Sequence, residues 1–213
     1  MTRQLNPHQE NPANNPDRIG AVTASILHDA IQTKRNGEYS AQRRSLVLSK
    51  AAEQFTGKMA SVFQSYSMKT GLEREPHAKQ AWEDITGQRI IDVPFQLHET
   101  IPYFGASPDG VMQDDASVLV EIKCPEQHTH FTFLHDFIIP AKYETQMLAQ
   151  IACMHHLGAT SCQFISYHPD FDPPIASVLY APDPQLVWNV ENEVELITQE
   201  IIHAVVTARS NSK

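Results

Sequence analysis

Apolar and polar positions alternate along this chain with two periods, and the switches between them outline its elements. From Thr23 to Gln32 apolar residues recur at helical spacing, with Thr23 or Ser25 available as a cap, so a short helix is expected to begin near Ser25. Asn36-Gly37 marks a turn within the polar stretch Lys34 to Ser40, and a helix from about Ala41 to Gln54 follows. Its basic residues Arg43, Arg44 and Lys50 leave two readings open, DNA or solvent. Gly71 to Thr86 has Ala78, Ala81, Trp82 and Ile85 on one stripe and Gly87 as its stop, which predicts a third helix. Glu75 falls on the same stripe. A carboxylate on an inward face is costly unless it is paired or binds a metal.

Between Val93 and Pro125 the period becomes two. Strands are expected near Val93 to His98, Pro102 to Ala106, Gly110 to Gln113 and Val118 to Cys124, with Asp114 to Ser117 as the turn joining the last pair. In the last strand Val118, Val120 and Ile122 share one face, and Leu119, Glu121 and Lys123 share the other. A loop is expected to hold His128, His130 and His135. Lys142 to His156 is helical again, with Tyr143, Met147, Ile151 and Met154 as its stripe and Gln146 and Gln150 flanking it. Strands at Cys162 to His168 and Ala176 to Tyr180 bracket a proline-rich turn. The last helix starts at Asp183-Pro184 and carries Val187, Val190, Val194, Ile197 and Ile201 on one face.

The 213 residues fit one domain, 1–213, with an irregular Asn/Pro-rich arm at 1–17 and a frayed tail at 210–213. No apolar run approaches the length of a membrane span and no secretory pattern stands at the N-terminus, so a soluble, cytoplasmic protein without a membrane partner is expected. Three cysteines, Cys124, Cys153 and Cys162, are too few and too scattered for a disulfide framework or a cysteine-bound metal. The net charge of −9 argues at first against a polyanionic partner. The distribution changes that picture, because residues 1–90 are net +3 and residues 91–213 are net −12. Such a division suits a basic grip on a polyanion and an acidic site elsewhere.

The candidate chemistry is concentrated in Ser107-Pro108-Asp109-Gly110 and, eleven residues later, Glu121-Ile122-Lys123. An acid, a spacer and an acid-x-lysine on a hairpin form the PD-(D/E)XK signature. Mg2+ or Mn2+ prefers carboxylate and water oxygens, which Asp109 and Glu121 can supply from adjacent strands, with Glu75 adding a carboxylate from a helix and leaving room for one or two ions. A metal so held neutralises charge on a phosphate and lowers the pKa of bound water. Lys123, on the same strand face as Glu121, can position that water or stabilise the transition state. Taken alone, an E-x-K triplet is also what a surface ion pair looks like. The eleven histidines lack zinc-site spacing, and Thr56-Gly57-Lys58 lacks the first glycine of a nucleotide-binding loop, which would fall at Ala52.

Five blocks in order carry a family resemblance: Arg18-Ile-Gly-Ala-Val-Thr-Ala-Ser25, Gly71 with Glu75 and Ala78, Ser107-Pro-Asp-Gly110, Glu121-Ile-Lys-Cys-Pro125, and Ala149-Gln150. The chain resembles the bacteriophage lambda-type alkaline exonucleases, the YqaJ-like viral recombinase family of the PD-(D/E)XK nuclease superfamily. That resemblance implies an α/β (α+β) restriction-endonuclease-like core, a central mixed sheet flanked by helices. It implies a Mg2+-dependent exonuclease, a hydrolase that digests one strand of double-stranded DNA 5′ to 3′ from its end and exposes a 3′ single strand for recombination. A toroidal homotrimer around DNA and a single-strand annealing protein as partner are implied as well. By position, Asp109, Glu121 and Glu75 would be metal ligands, Lys123 the lysine of the motif and Gln150 the glutamine that holds the site. Arg18, Ser25 and Ser107 would bind the 5′-phosphate, with guanidinium bonds and the start of the helix near Ser25 favouring the anion. The aromatic residue that some relatives carry just before the arginine is replaced here by Asn15-Pro16-Asp17. Two other readings stand beside this one: an endonuclease or junction resolvase using the same metal site, and a non-catalytic DNA-binding module on a nuclease fold.

Overall fold

A computed structural model describes residues 15–60 and 66–212. Its strands are β1 (Val22–Thr23), β2 (Ile90–Ile91), β3 (Gln96–Leu97), β4 (Phe104–Ala106), β5 (Gly110–Met112), β6 (Val118–Lys123), β7 (Ser161–Tyr167) and β8 (Ile175–Tyr180). The helices are α1 (Leu27–Ile31), α2 (Ala41–Thr56), α3 (Tyr66–Thr86), α4 (Gln127–Asp136), α5 (Ala141–Met154) and α6 (Pro184–Asn211).

Five strands form the main sheet in the order β2-β5-β6-β7-β8. The β6–β7 pair is parallel and the other neighbours are antiparallel, so the sheet is mixed. A small sheet, β1-β4-β3, joins β1 to β4 in parallel and β3 to β4 antiparallel. β6 and β7 therefore lie inside the main sheet, where alternate residues face different layers. Leu119 and Phe164 enter a core with Met147 and Ile151 of α5 and Val194, Ile197 and Ile201 of α6. Val120, Ile122, Ile165 and Tyr167 enter a second core with Ala78 and Trp82 of α3. Helices thus cover both faces, α5 and α6 on one side and α3 on the other.

Local chemistry sets the ends of these elements. Asp183 caps α6 by accepting from the Gln185 amide at 2.8 Å, and Pro184 fills the first helical position, where no amide partner is needed. Ser40 caps α2. In the β5–β6 turn Asp115 Oδ1 accepts from the Ser117 amide and hydroxyl at 3.0 and 2.6 Å, closing the hairpin that carries the acids.

Several expectations need correction. The segment from Thr23 to Gln32 divides into β1, a 3-10 turn at Ala24–Ile26 and the five residues of α1. Pairing with β4 takes Val22 and Thr23 into a sheet, and helical backbone starts at Ala24, close to the expected start near Ser25, but as a 3-10 turn before the short α1. α3 begins at Tyr66, ahead of Gly71, and Ile85 is 55% exposed. The strand expected from Val93 to His98 is reduced to Gln96–Leu97, since Pro94 cannot donate to a ladder, and an unexpected strand lies at Ile90–Ile91. The presumed histidine loop is α4, with His130 and Phe133 turned inward. Of the expected arm, residues 1–14 lie outside the described residues, whereas Pro16–Arg18 form a 3-10 turn. The helical backbone of α6 continues to Asn211, well into the expected tail. Among the described residues, no helix is long and apolar enough to cross a membrane.

Candidate active site

The β5–β6 hairpin brings Asp109 beside the middle of β6. The Asp109 amide donates to the Val120 carbonyl at 2.9 Å, and its carboxylate Oδ2 accepts from the Ile122 amide at 2.6 Å. A side chain tied to the backbone of the neighbouring strand has little freedom left. On its other side β5 lies close against β2, which Gly110 permits, because a Cβ there would stand 2.7 Å from the Ile91 carbonyl oxygen.

Glu121 is only 1% exposed, on the β6 face turned toward α5. Gln150, fully buried on α5, donates from Nε2 to Glu121 Oε2 at 2.6 Å. Lys123 Nζ pairs with Glu121 Oε1. The ammonium also lies 5.1 Å from the centroid of the Tyr143 ring, which stacks on Phe164 at 5.8 Å. Phe164 is the register partner of Glu121, and Ser166 that of Lys123. Strand periodicity, a facing helix and an aromatic wall thus hold a buried carboxylate against a partly exposed ammonium.

Charge crowding defines the electrostatics. Burial raises the pKa of Asp109 well above the usual carboxylate range, and the negative charges of Glu121 and then Glu75 raise it further. Burial acts to lower the pKa of Lys123, but the Glu121 and Asp109 carboxylates outweigh it and hold the pKa above that of an ordinary lysine. Cys124 is pushed up to about 12 by burial, Glu75 and Asp109, so it stays a thiol.

Glu75 reaches this region from α3, on the other side of the sheet, and its charge is felt at Asp109. Lys79, one helical turn on, pairs with it at 3.2 Å and with Asp92 at 2.7 Å. Among the described residues, no three His, Cys, Asp or Glu side chains converge tightly enough to hold a metal ion. The donor set still suits a hard cation. Gln150 Oε1 is a buried oxygen without a hydrogen bond, Glu121 Oε1 already faces the Lys123 ammonium, and the crowded acids would be relieved by positive charge.

The residues expected to bind phosphate lie at the small sheet. Its parallel pairing matches Thr23 with Gly105, and Ser25 and Ser107, both exposed, each follow that pair by two residues. The Arg18 guanidinium lies 4.4 Å from the centroid of the Phe95 ring, whose other contacts include Gly105 on β4. Burial lowers the pKa of Arg18 from its usual high value. The helix near Ser25 is a 3-10 turn followed by five residues, so it brings a smaller dipole than the expected helix.

The structure separates the other basic candidates. Arg43 is 2% exposed, bonded to Glu200 at 2.7 and 3.0 Å and to Glu193 at 2.9 Å, over the Tyr39 ring at 3.6 Å. Lys50 pairs with Glu53, while Arg44 is exposed. Part of the charge division between the two ends of the chain is therefore an internal clasp of α2 on α6. Tyr143, Phe95 and Lys79 were not singled out for roles by the sequence reasoning. Only Lys79 had a usable signal, its i, i+4 spacing from Glu75.

The structure is similar to that of an alkaline exonuclease, LHK-Exo, from Laribacter hongkongensis, with TM-score 0.81, 29% identity, and 92% of this chain and 94% of that one covered. The same exonuclease in complex with dAMP gives TM-score 0.82 at 29% identity, over 92% and 95% of the two chains. A phage-related exonuclease from Haemophilus somnus 129PT shares the fold at 15% identity and TM-score 0.67, over 88% and 96%. No curated protein matches the sequence significantly. The domain model described as YqaJ-like viral recombinase matches residues 15–162, a span that opens just before Arg18 and includes Gln150; the chain belongs to that family.

Proposed function

We propose that this protein is a metal-dependent DNA exonuclease that digests one strand of a duplex 5′ to 3′ from its end and leaves a 3′ single strand for annealing. The observation that carries the reading is the buried Glu121, held by Gln150 and Lys123 beside Asp109. A surface ion pair would not be 1% exposed with its own glutamine donor. The likeness to an alkaline exonuclease over nearly the whole chain supports the same reading.

One or two Mg2+ ions, or Mn2+ in their place, would be held by Asp109 and Glu121 with Glu75 nearby, supplying charge neutralisation at the phosphate and an acidified water. The protein's own groups have separable tasks. Gln150 fixes the rotamer of Glu121, and the Ile122 amide fixes Asp109. Lys123 remains an ammonium at neutral pH, because the carboxylates raise its pKa; it acts as a donor and a positive charge toward the phosphate oxygens, not as a base. Arg18, Ser25 and Ser107 would take the 5′-phosphate. Assembly as a ring-shaped homotrimer and transfer of the 3′ strand to a single-strand annealing protein complete the proposal.

Digestion of end-labelled linear duplex beside covalently closed circular duplex, with Mg2+, tests the function. Linear DNA is expected to lose 5′ nucleotides while circles persist. Equal cutting of circles would establish an endonuclease instead.

A further inference from the structure

Arg18 opens a tight turn. The Ala21 amide donates to the Arg18 carbonyl at 3.1 Å, Ile19 has φ −66° and ψ 116°, and Gly20 has φ +71°, which together make a type II turn with glycine at its third position. Both polar backbone groups of Gly20 face the end of α2. Its amide donates to Glu53 Oε2 at 2.9 Å, and its carbonyl accepts from Gln54 Nε2 at 3.2 Å. The fit is close, since a Cβ on Gly20 would lie 2.2 Å from Gln54 Cγ.

Glu53 is 4% exposed, an unusual place for an acid. Lys50 Nζ meets its two oxygens at 3.1 and 3.0 Å and balances its charge. Glu53 Oε1 also accepts from the Ala60 amide at 3.3 Å. One carboxylate therefore joins the Arg18 turn, α2 and the chain that follows α2. The hydrophobic core alone would be served by an apolar residue here. What the acid adds is a fixed orientation for the Gly20 peptide, two residues from Arg18.

We infer that Glu53, assisted by Gln54, is a positioning residue for Arg18: it locks the turn so that the guanidinium is aimed at a terminal phosphate of the DNA. The inference rests on the proposed role of Arg18 as a 5′-phosphate ligand. Bidentate guanidinium–phosphate bonding depends on angle as well as distance, and a misplacement of about 1 Å in a positioning group can cost on the order of a hundredfold in rate. A turn released from α2 keeps its arginine but loses the aim.

The test is the ratio of digestion rates on 5′-phosphorylated and 5′-hydroxyl duplex ends, measured for the parent, Arg18→Ala, Glu53→Ala, Glu53→Gln and Gln54→Ala, each with its urea unfolding midpoint. The parent is expected to prefer phosphate and Arg18→Ala to lose that preference. Glu53→Ala is expected to lower the ratio by about tenfold or more, and Glu53→Gln, which keeps an acceptor for the Gly20 amide, to recover most of it. A purely structural role would lower the unfolding midpoint and leave the ratio alone. A folded Glu53→Ala that keeps the parent ratio while Arg18→Ala loses it overturns the inference and spares the phosphate reading. A parent ratio of one overturns both. If Glu53→Ala does not fold, Gln54→Ala decides: a lowered ratio supports the inference and the parent ratio overturns it.

Discussion

Replacing Gln150 by leucine isolates the contact on which the acidic centre depends. The two side chains are similar in volume, so little cavity forms, and the change removes one donor. That donor serves a buried carboxylate at 2.6 Å, and hydrogen bonds to charged groups contribute about 1.5–3 kcal/mol. Glu121 cannot turn to water, being 1% exposed, so its Oε2 would be left without a hydrogen-bond donor. Lys123 pairs with the other oxygen and limits the damage. The expected loss of stability is about 2–3 kcal/mol, read from urea unfolding with a shared m-value. If about 1.4–2.8 kcal/mol of that alignment is needed in the transition state, digestion slows by roughly ten- to a hundredfold. A Gln150→Leu protein within about 0.5 kcal/mol of the parent and within about twofold of its rate would refute the claim that Gln150 orients Glu121.

Three other outcomes follow from the same structure. Arg43→Met should cost about 2–3 kcal/mol in urea unfolding, below the full effect of breaking a buried pair because Glu193 and Glu200 are partly exposed, and should leave the salt dependence of DNA binding unchanged. Tyr143→Leu should slow digestion several-fold by removing the aromatic face under Lys123, and Tyr143→Phe, which keeps that face, should not; equal effects of the two would show that the ring has another role. Burial, with a smaller effect of His168, lowers the pKa of His130, so the unfolded chain takes up this proton first on acidification. Stability from His130 is therefore present above the usual histidine range near 6.5 and lost as pH falls toward its folded value. The parent should lose more stability than His130→Gln between about pH 7 and 5, as measured by urea midpoints.

The β5–β6 hairpin and its acids were legible in the sequence because one element carries both pattern and chemistry. Val118 to Lys123 reads as a strand from its run of Val, Leu and Ile after the Asp114 to Ser117 turn, so the shared face of Glu121 and Lys123 follows from the pleat alone. Gln150 could be placed on a helix, but its bond to Glu121 joins residues 29 apart and belongs to tertiary structure. The same limit hid the roles of Arg43 and Glu53. Charges on a helix read as surface charges until the acids of α6 or the turn at Gly20 are seen against them. α4 escaped because its histidines and threonines are indifferent helix formers and its C-cap is Phe137 at φ +56°, where a glycine would have marked the end. The short β1 was missed because its pairing partner, Phe104 on β4, is far along the chain.

The most direct measurement of the account is digestion of 5′-phosphorylated linear duplex, with Mg2+, by Lys123→Ala and Glu121→Gln proteins whose folded state is verified by circular dichroism. The account predicts losses on the order of a hundredfold or more in both, since each removes charge from the centre. Near-parental digestion by either folded variant would contradict it.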